Sequence, residues 1–191
     1  GTYKDMQLER DIAPFVEKLI SYNKNCFSYQ NMRIMLFQSL QNWKKVQLYC
    51  IEALRQIPDN ETLMLALAMA YENLGDNDNA AMWYSRAIGA KYSFVRARLR
   101  LAYLLEKQGK IHFAIEVIQE IFVCNPNYAM GHIQAAFFLF KHHDKKVAAT
   151  LFSRAYSQLK PYEKQSVDNN PMTHELAAFH TNTVIITPSL N

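Results

Sequence analysis

An all-α fold built from stacked helical hairpins is predicted by three observations. Apolar residues recur at helical spacing, small residues hold the same place in successive segments, and those segments lie thirty-four residues apart. The pattern is clearest from Glu61 to Phe94. There Leu67, Ala68 and Tyr71 line one helix, Gly75-Asp76 stops it, and Ala80, Tyr84 and Ala87 line the next.

Columns at this period extend the hairpin in both directions. Small or apolar residues run Ile34, Ala68, Ala102, Ala136, then Val46, Ala80, Ala114, Ala148, and again Ala53, Ala87, Ile121, Ala155. Larger ones run Phe37, Tyr71, Leu105, Leu139, and Cys50, Tyr84, Ile118, Phe152. Helices that approach within about 8–10 Å need small residues at the crossing and bulky ones beside it. Pro58 and Pro126 share a column at the repeat ends, Tyr92 replaces it once, and Pro161 comes one residue late.

Over Phe27 to about Lys160 these columns resemble the tetratricopeptide repeat family. The resemblance implies a right-handed α-solenoid of tetratricopeptide helical hairpins with terminal capping helices. Four repeats are expected, at 27–60, 61–94, 95–128 and 129–161. Residues 1–26 are then an N-terminal capping helix or half-repeat, and 162–191 a C-terminal cap and extended tail. The end repeats depart most from the pattern: Gln41 and His143-Asp144 stand where Gly75 and Gly109 turn the central hairpins.

In chain order, Asp11 to Ile20 predicts a helix with Pro14 in its tolerated first turn, and Ala13 is aligned with Val46 and Ala80. After the repeats, Pro161 to Pro171 reads as polar and turn-rich, and His174 to about His180 as a short helix. Thr181 to Asn191 reads as extended or disordered because β-branched residues dominate. About 171–180 is expected to fold back as a cap. The Val184-Ile185-Ile186 stretch would then lie in the chain's own groove or reach a neighbour's, which makes the tail a candidate for self-association.

With 191 residues, 50% of them hydrophobic, and only five Gly and six Pro, the chain can bury a substantial core. No apolar run is long enough to span a membrane. The opening Gly-Thr-Tyr is compatible with an excised or processed form, so compartment stays open, with the cytoplasm favoured. Cys26, Cys50 and Cys124 show no metal or disulfide spacing and read as reduced thiols, Cys50 as a small buried hydrophobe.

Catalytic, cofactor and metal motifs are not assembled. His174-Glu175 lacks a second histidine four residues on, His142-His143-Asp144 sits in a turn without further ligands, and Gly109-Lys110 is not a phosphate loop. The chain is therefore not expected to be an enzyme. The net charge of +4 is small, and of Arg96, Arg98 and Arg100 only the outer two share a helical face, so nucleic acid is disfavoured.

In the family that the columns resemble, the first helix of each repeat lines a concave groove for a peptide or helix of a partner protein. This implies a scaffold, assembly factor or chaperone-like adaptor. The register places Met69 and Glu72, then Arg96, Leu99, Arg100 and Tyr103, and finally Met130, Ile133, Phe137 and Phe140 on that groove. The family's carboxylate clamp is matched at Arg96 and Arg100 but not at Asn31, Met35 and Ala66. An RNA-binding helical array is the alternative, and a salt series separates the two.

Overall fold

The computed structural model describes residues 3–185, and among them every regular element is an α-helix. Two compact units are formed, residues 1–97 and 98–191. The first holds α1 (Tyr3–Tyr22), α2 (Phe27–Ser39), α3 (Trp43–Gln56), α4 (Glu61–Asn73) and α5 (Asn77–Ala90), with the start of α6 (Val95–Lys107). The second holds the rest of α6, then α7 (Ile111–Cys124), α8 (Ala129–His142), α9 (Lys145–Ser157), α10 (Pro161–Asp168) and α11 (Pro171–Ile185).

In the first unit each helix from α1 to α5 packs on the next. In the second, α8 packs on α7 and α9, and α11 returns onto α9. The small-residue columns supply the contacts. Ala68, Ala80 and Ala87 in the first unit, and Ala102, Ala114, Ala136 and Ala148 in the second, are fully buried. Such positions have no room for added methylenes.

Turn chemistry follows the same period. Gly75 and Gly109 adopt positive φ of 85° and 74°. The next residue of each turn donates its N–H back to the helix, Asp76 to the Tyr71 carbonyl and Lys110 to that of Leu105, both at 2.9 Å. Gln41 holds the same geometry at φ 53°, with Asn42 bonded to the Phe37 carbonyl at 2.9 Å. A side chain in this left-handed region is strained, so the first hairpin turns at a conformational cost that the central two avoid. His143, one period after Gly109, is extended instead.

The second helices start on side-chain caps: Asn42 accepts from the Lys45 N–H, Asp76 from that of Asn79, and Asp144 from those of Lys146 and Val147. Lys110 occupies the same place before α7 and makes no such bond. Asn60 caps α4 by accepting from the Leu63 N–H at 2.9 Å.

Several local expectations are corrected. Helix α1 begins at Tyr3, so Pro14 lies in its interior rather than in its first turn. Counting thirty-four residues back from Val46 gives Ile12, not Ala13. Residues 161–168 form a helix: Pro161 takes the first position and the Glu163 carboxylate accepts from the Lys160 N–H at 2.8 Å. Helix α11 continues to Ile185, so 181–185 are helical where β-branched composition suggested extended chain. A helix that docks an apolar side overrides weak intrinsic propensity. The tail from Ile186 onward lies outside the described residues.

Candidate functional site

The residues expected to line a groove sort into exposed, half-buried and buried groups. In the first unit, Met69 and Glu72 are half-buried and Arg96 is exposed. Glu72 accepts from the Tyr84 hydroxyl at 2.6 Å, which ties α4 to α5. On neighbouring α2, Met32 and Met35 are exposed, and Asn31 donates to the Met35 sulfur.

In the second unit, Arg100, Met130 and Phe137 are half-buried and Tyr103 is 40% exposed. Leu99, Ile133 and Phe140, in contrast, are buried and are not available to a partner in this structure. Phe140 is covered by α11, whose Phe179 meets it edge-on with ring centroids 5.9 Å apart. Phe137 leans on Phe152 of α9 at 5.7 Å.

The structure instead gathers a cluster on α6 and α8 around Tyr103. The Tyr103 ring packs edge-on against Phe138 at 5.6 Å, and Phe138 in turn meets His142 at 4.9 Å. Glu106, one turn beyond Tyr103, receives the Lys141 ammonium at 2.5 Å and the His142 Nε2 at 2.7 Å. Burial alone would raise the Glu106 pKa, but these two hydrogen bonds and charges hold it below the usual carboxylate value. Burial, then the neighbouring Glu106 carboxylate, raises the Tyr103 pKa, so the phenol stays a neutral donor.

The outward row of α6 in this unit is Arg100, Tyr103 and Lys107. An aromatic surface between cations can bury an apolar side chain and meet a carboxylate beside it. Lys141 and His142 were not among the expected residues. The sequence signal for Lys141 is its place in the α8 row Met130, Gln134, Phe137 and Lys141, at spacings of four, three and four.

The arginine cluster dissolves on folding. Arg98 is 2% exposed and pairs with Glu120 of α7, so the three arginines make no continuous basic face. Arg33 is buried in the same manner in the first unit, bonded to Gln30 at 2.8 Å, paired with Glu17 and Glu52 and stacked over Tyr49. Burial beside it pushes the Cys50 thiol up to about 12, with the Arg33 charge opposing, so that sulfur stays protonated and inert. Among the described residues no helix is long and apolar enough to cross a membrane.

A family model described as tetratricopeptide repeat matches residues 62–93. A crystal structure of MamA is similar at 13% identity and a TM-score of 0.61, over 83% of this chain and 94% of that one. A structure of YrrB, described as "a TPR protein with an unusual peptide-binding site", is similar at 17% identity and a TM-score of 0.55, over 83% and 81%. At these identities the likeness is one of fold. No curated protein sequence matches the chain significantly.

Proposed function

We propose that this chain, a tetratricopeptide-repeat protein of the all-α solenoid class, is a protein-interaction module that holds a peptide segment of a partner, as a scaffold or assembly factor. The observation that carries this reading is the exposed Tyr103 ring, set between Arg100 and Lys107 on α6 and backed by Phe138. The partner segment would lay an apolar side chain on Tyr103 and bring a carboxylate to Arg100. The peptide-binding site named for YrrB supports a ligand of this general kind.

The RNA alternative gains no observation, because the arginine run that suggested it has one member buried in an ion pair. Peptides selected on the intact protein from a random display library provide the test, with affinities read by fluorescence anisotropy. Truncating an aromatic anchor costs on the order of 2 kcal/mol, so Tyr103→Ala is expected to weaken the selected peptides more than tenfold. Arg100→Ala should weaken the acidic ones selectively. Affinities unchanged in both variants would overturn the site, and a steep log-log loss with salt on an oligonucleotide would overturn the class of ligand.

A further inference from the structure

Helices α9, α10 and α11 enclose a cavity of about 400 Å³ in the second unit, a size usual for ligand sites. Its aromatic wall is on α9. Phe152 is buried, and the half-buried Tyr156 stacks on it with ring centroids 5.6 Å apart and planes inclined at 27°. Asp168 at the end of α10 and Thr173 in the first turn of α11 add polar groups to the lining. The cavity takes no residue from the Tyr103 surface on α6.

The direction of the hydrogen bonds gives the cavity its chemistry. A carbonyl or a carboxylate only accepts, so a hydroxyl bonded to one has spent its proton there. Tyr156 donates to Asp168, Ser157 to the Arg154 carbonyl and Thr173 to the Val167 carbonyl, each at 2.7 Å. Thr173 is 6% exposed, which shelters its bond from water. The bond to Asp168 raises the Tyr156 pKa and keeps that proton on the phenol. What these three hydroxyls and Asp168 offer a ligand is therefore lone pairs. Ser153 and the exposed His174 are the lining groups with a proton left to give.

The charges point the same way. Lys164, one turn before Asp168 on α10, sets its ammonium over the Tyr156 ring at 5.2 Å instead of pairing with the carboxylate. The ring thus already attracts a cation, and among the described residues Asp168 pairs with none. An anion would meet the Asp168 charge, and a purely apolar ligand would strip water from the carboxylate without replacing it. A planar, donor-rich cation suits both surfaces, because its face lies on a ring while its edge meets acceptors. Guanidinium has that form, whereas an ammonium is a strongly hydrated point charge without a flat face. Asp168 and His174 are both exposed, so the mouth admits a side chain still attached to a chain outside.

We propose that this cavity binds the guanidinium of an arginine side chain on a partner protein, with its face on Tyr156 and its N–H groups on Asp168 and the Ser157 and Thr173 hydroxyl oxygens. The site is separate from the peptide surface on α6 and does not depend on it.

The test is a titration of the isotope-labelled full chain with an acetylated, amidated Gly-Arg-Gly peptide, read by amide chemical shifts. Saturable shifts are expected at Ser157, Thr173 and Ala177, with a Kd on the order of 1 mM. The matching lysine peptide should bind at least about fivefold more weakly, for want of a planar fork. Asp168→Asn keeps the shape and should cost a similar factor, and Tyr156→Leu should cost more, with melting temperatures reporting whether each variant is folded. Free arginine should bind more weakly than the peptide, because its own carboxylate meets Asp168. Absent shifts at the cavity, equal binding of the lysine peptide, or undiminished binding to Asp168→Asn would each overturn the proposal. Free arginine binding as tightly as the peptide would overturn the assignment to a partner protein.

Discussion

Helices α8 and α9 in the second unit and helix α1 in the first each carry an apolar side outside their hairpin contacts, and the two sides are treated differently. On α8 and α9 the exposed side is closed from within: α11 returns, Leu176 becomes fully buried, Thr173 donates to the Val167 carbonyl at 2.7 Å and Phe179 seats on Phe140. On α1 the corresponding apolar stripe stays open, with Phe15 61% exposed. A repeat helix always has two sides to satisfy, since each repeat buries its core only against neighbours. Stability is held where a covering helix is present, at Leu176 and Phe140, and not at the exposed Phe15 ring.

The strongest way to break this contrast is to truncate one large apolar side chain on each side. Leu176→Ala should destabilise by about 2–5 kcal/mol, as expected for a buried leucine whose site cannot fully collapse. Phe15→Ala should stay within about 0.5 kcal/mol at concentrations where the chain is monomeric, because the ring is already in water. Urea denaturation midpoints read both. Similar losses would mean that α1 carries a covering element, and the distinction between the ends would fail.

Turn geometry sharpens the contrast at intermediate size. Gln41→Gly relieves a left-handed φ and should stabilise by about 0.5–1.5 kcal/mol, whereas Gly75→Ala imposes that strain and should destabilise by about 1–2 kcal/mol. An added Cβ at Gly75 meets no atom within 4 Å, so the loss would report the backbone and not a clash. Thermal melts that moved in the same direction for both would contradict the shared turn.

What could be read from the sequence was the packing. Val46, Ala80, Ala114 and Ala148 were aligned by period alone, and all four are fully buried. The period worked because helix crossings demand small residues at fixed intervals whatever their sequence context. Surface assignment was less legible. Leu99, Ile133 and Phe140 were expected on a groove but are covered, since on first helices such as α4, buried from Leu63 to Ala68, the apolar pattern does not distinguish a binding face from a packing face. Arg33 and Arg98 look like surface residues in a list and become interior ones through carboxylates on other helices, Glu17, Glu52 and Glu120. Helix α10 and the end of α11 were misread because polar and β-branched composition was weighed alone.

The smallest effect expected concerns Glu72 and Glu106, which stand one period apart and are held differently. Glu72 accepts from the neutral Tyr84 hydroxyl, while Glu106 accepts from Lys141 and His142 on α8. The folded pKa of Glu106 lies below the ordinary carboxylate value, because those cations outweigh the cost of burial. A carboxylate with a depressed folded pKa stabilises the protein above its unfolded pKa, and that contribution is lost as pH falls through the folded value. Glu106→Gln should therefore melt below wild type at pH 7, by at most about 2–4 °C for a partly solvated pair in a chain of this size. The gap should close as pH falls below the ordinary carboxylate range, where wild-type Glu106 takes up its proton. A gap between wild type and Glu106→Gln that stays constant through the acid limb would mean that Lys141 and His142 do not hold Glu106 in its charged form, and the pinning of α6 to α8 beneath Tyr103 would lose its electrostatic basis.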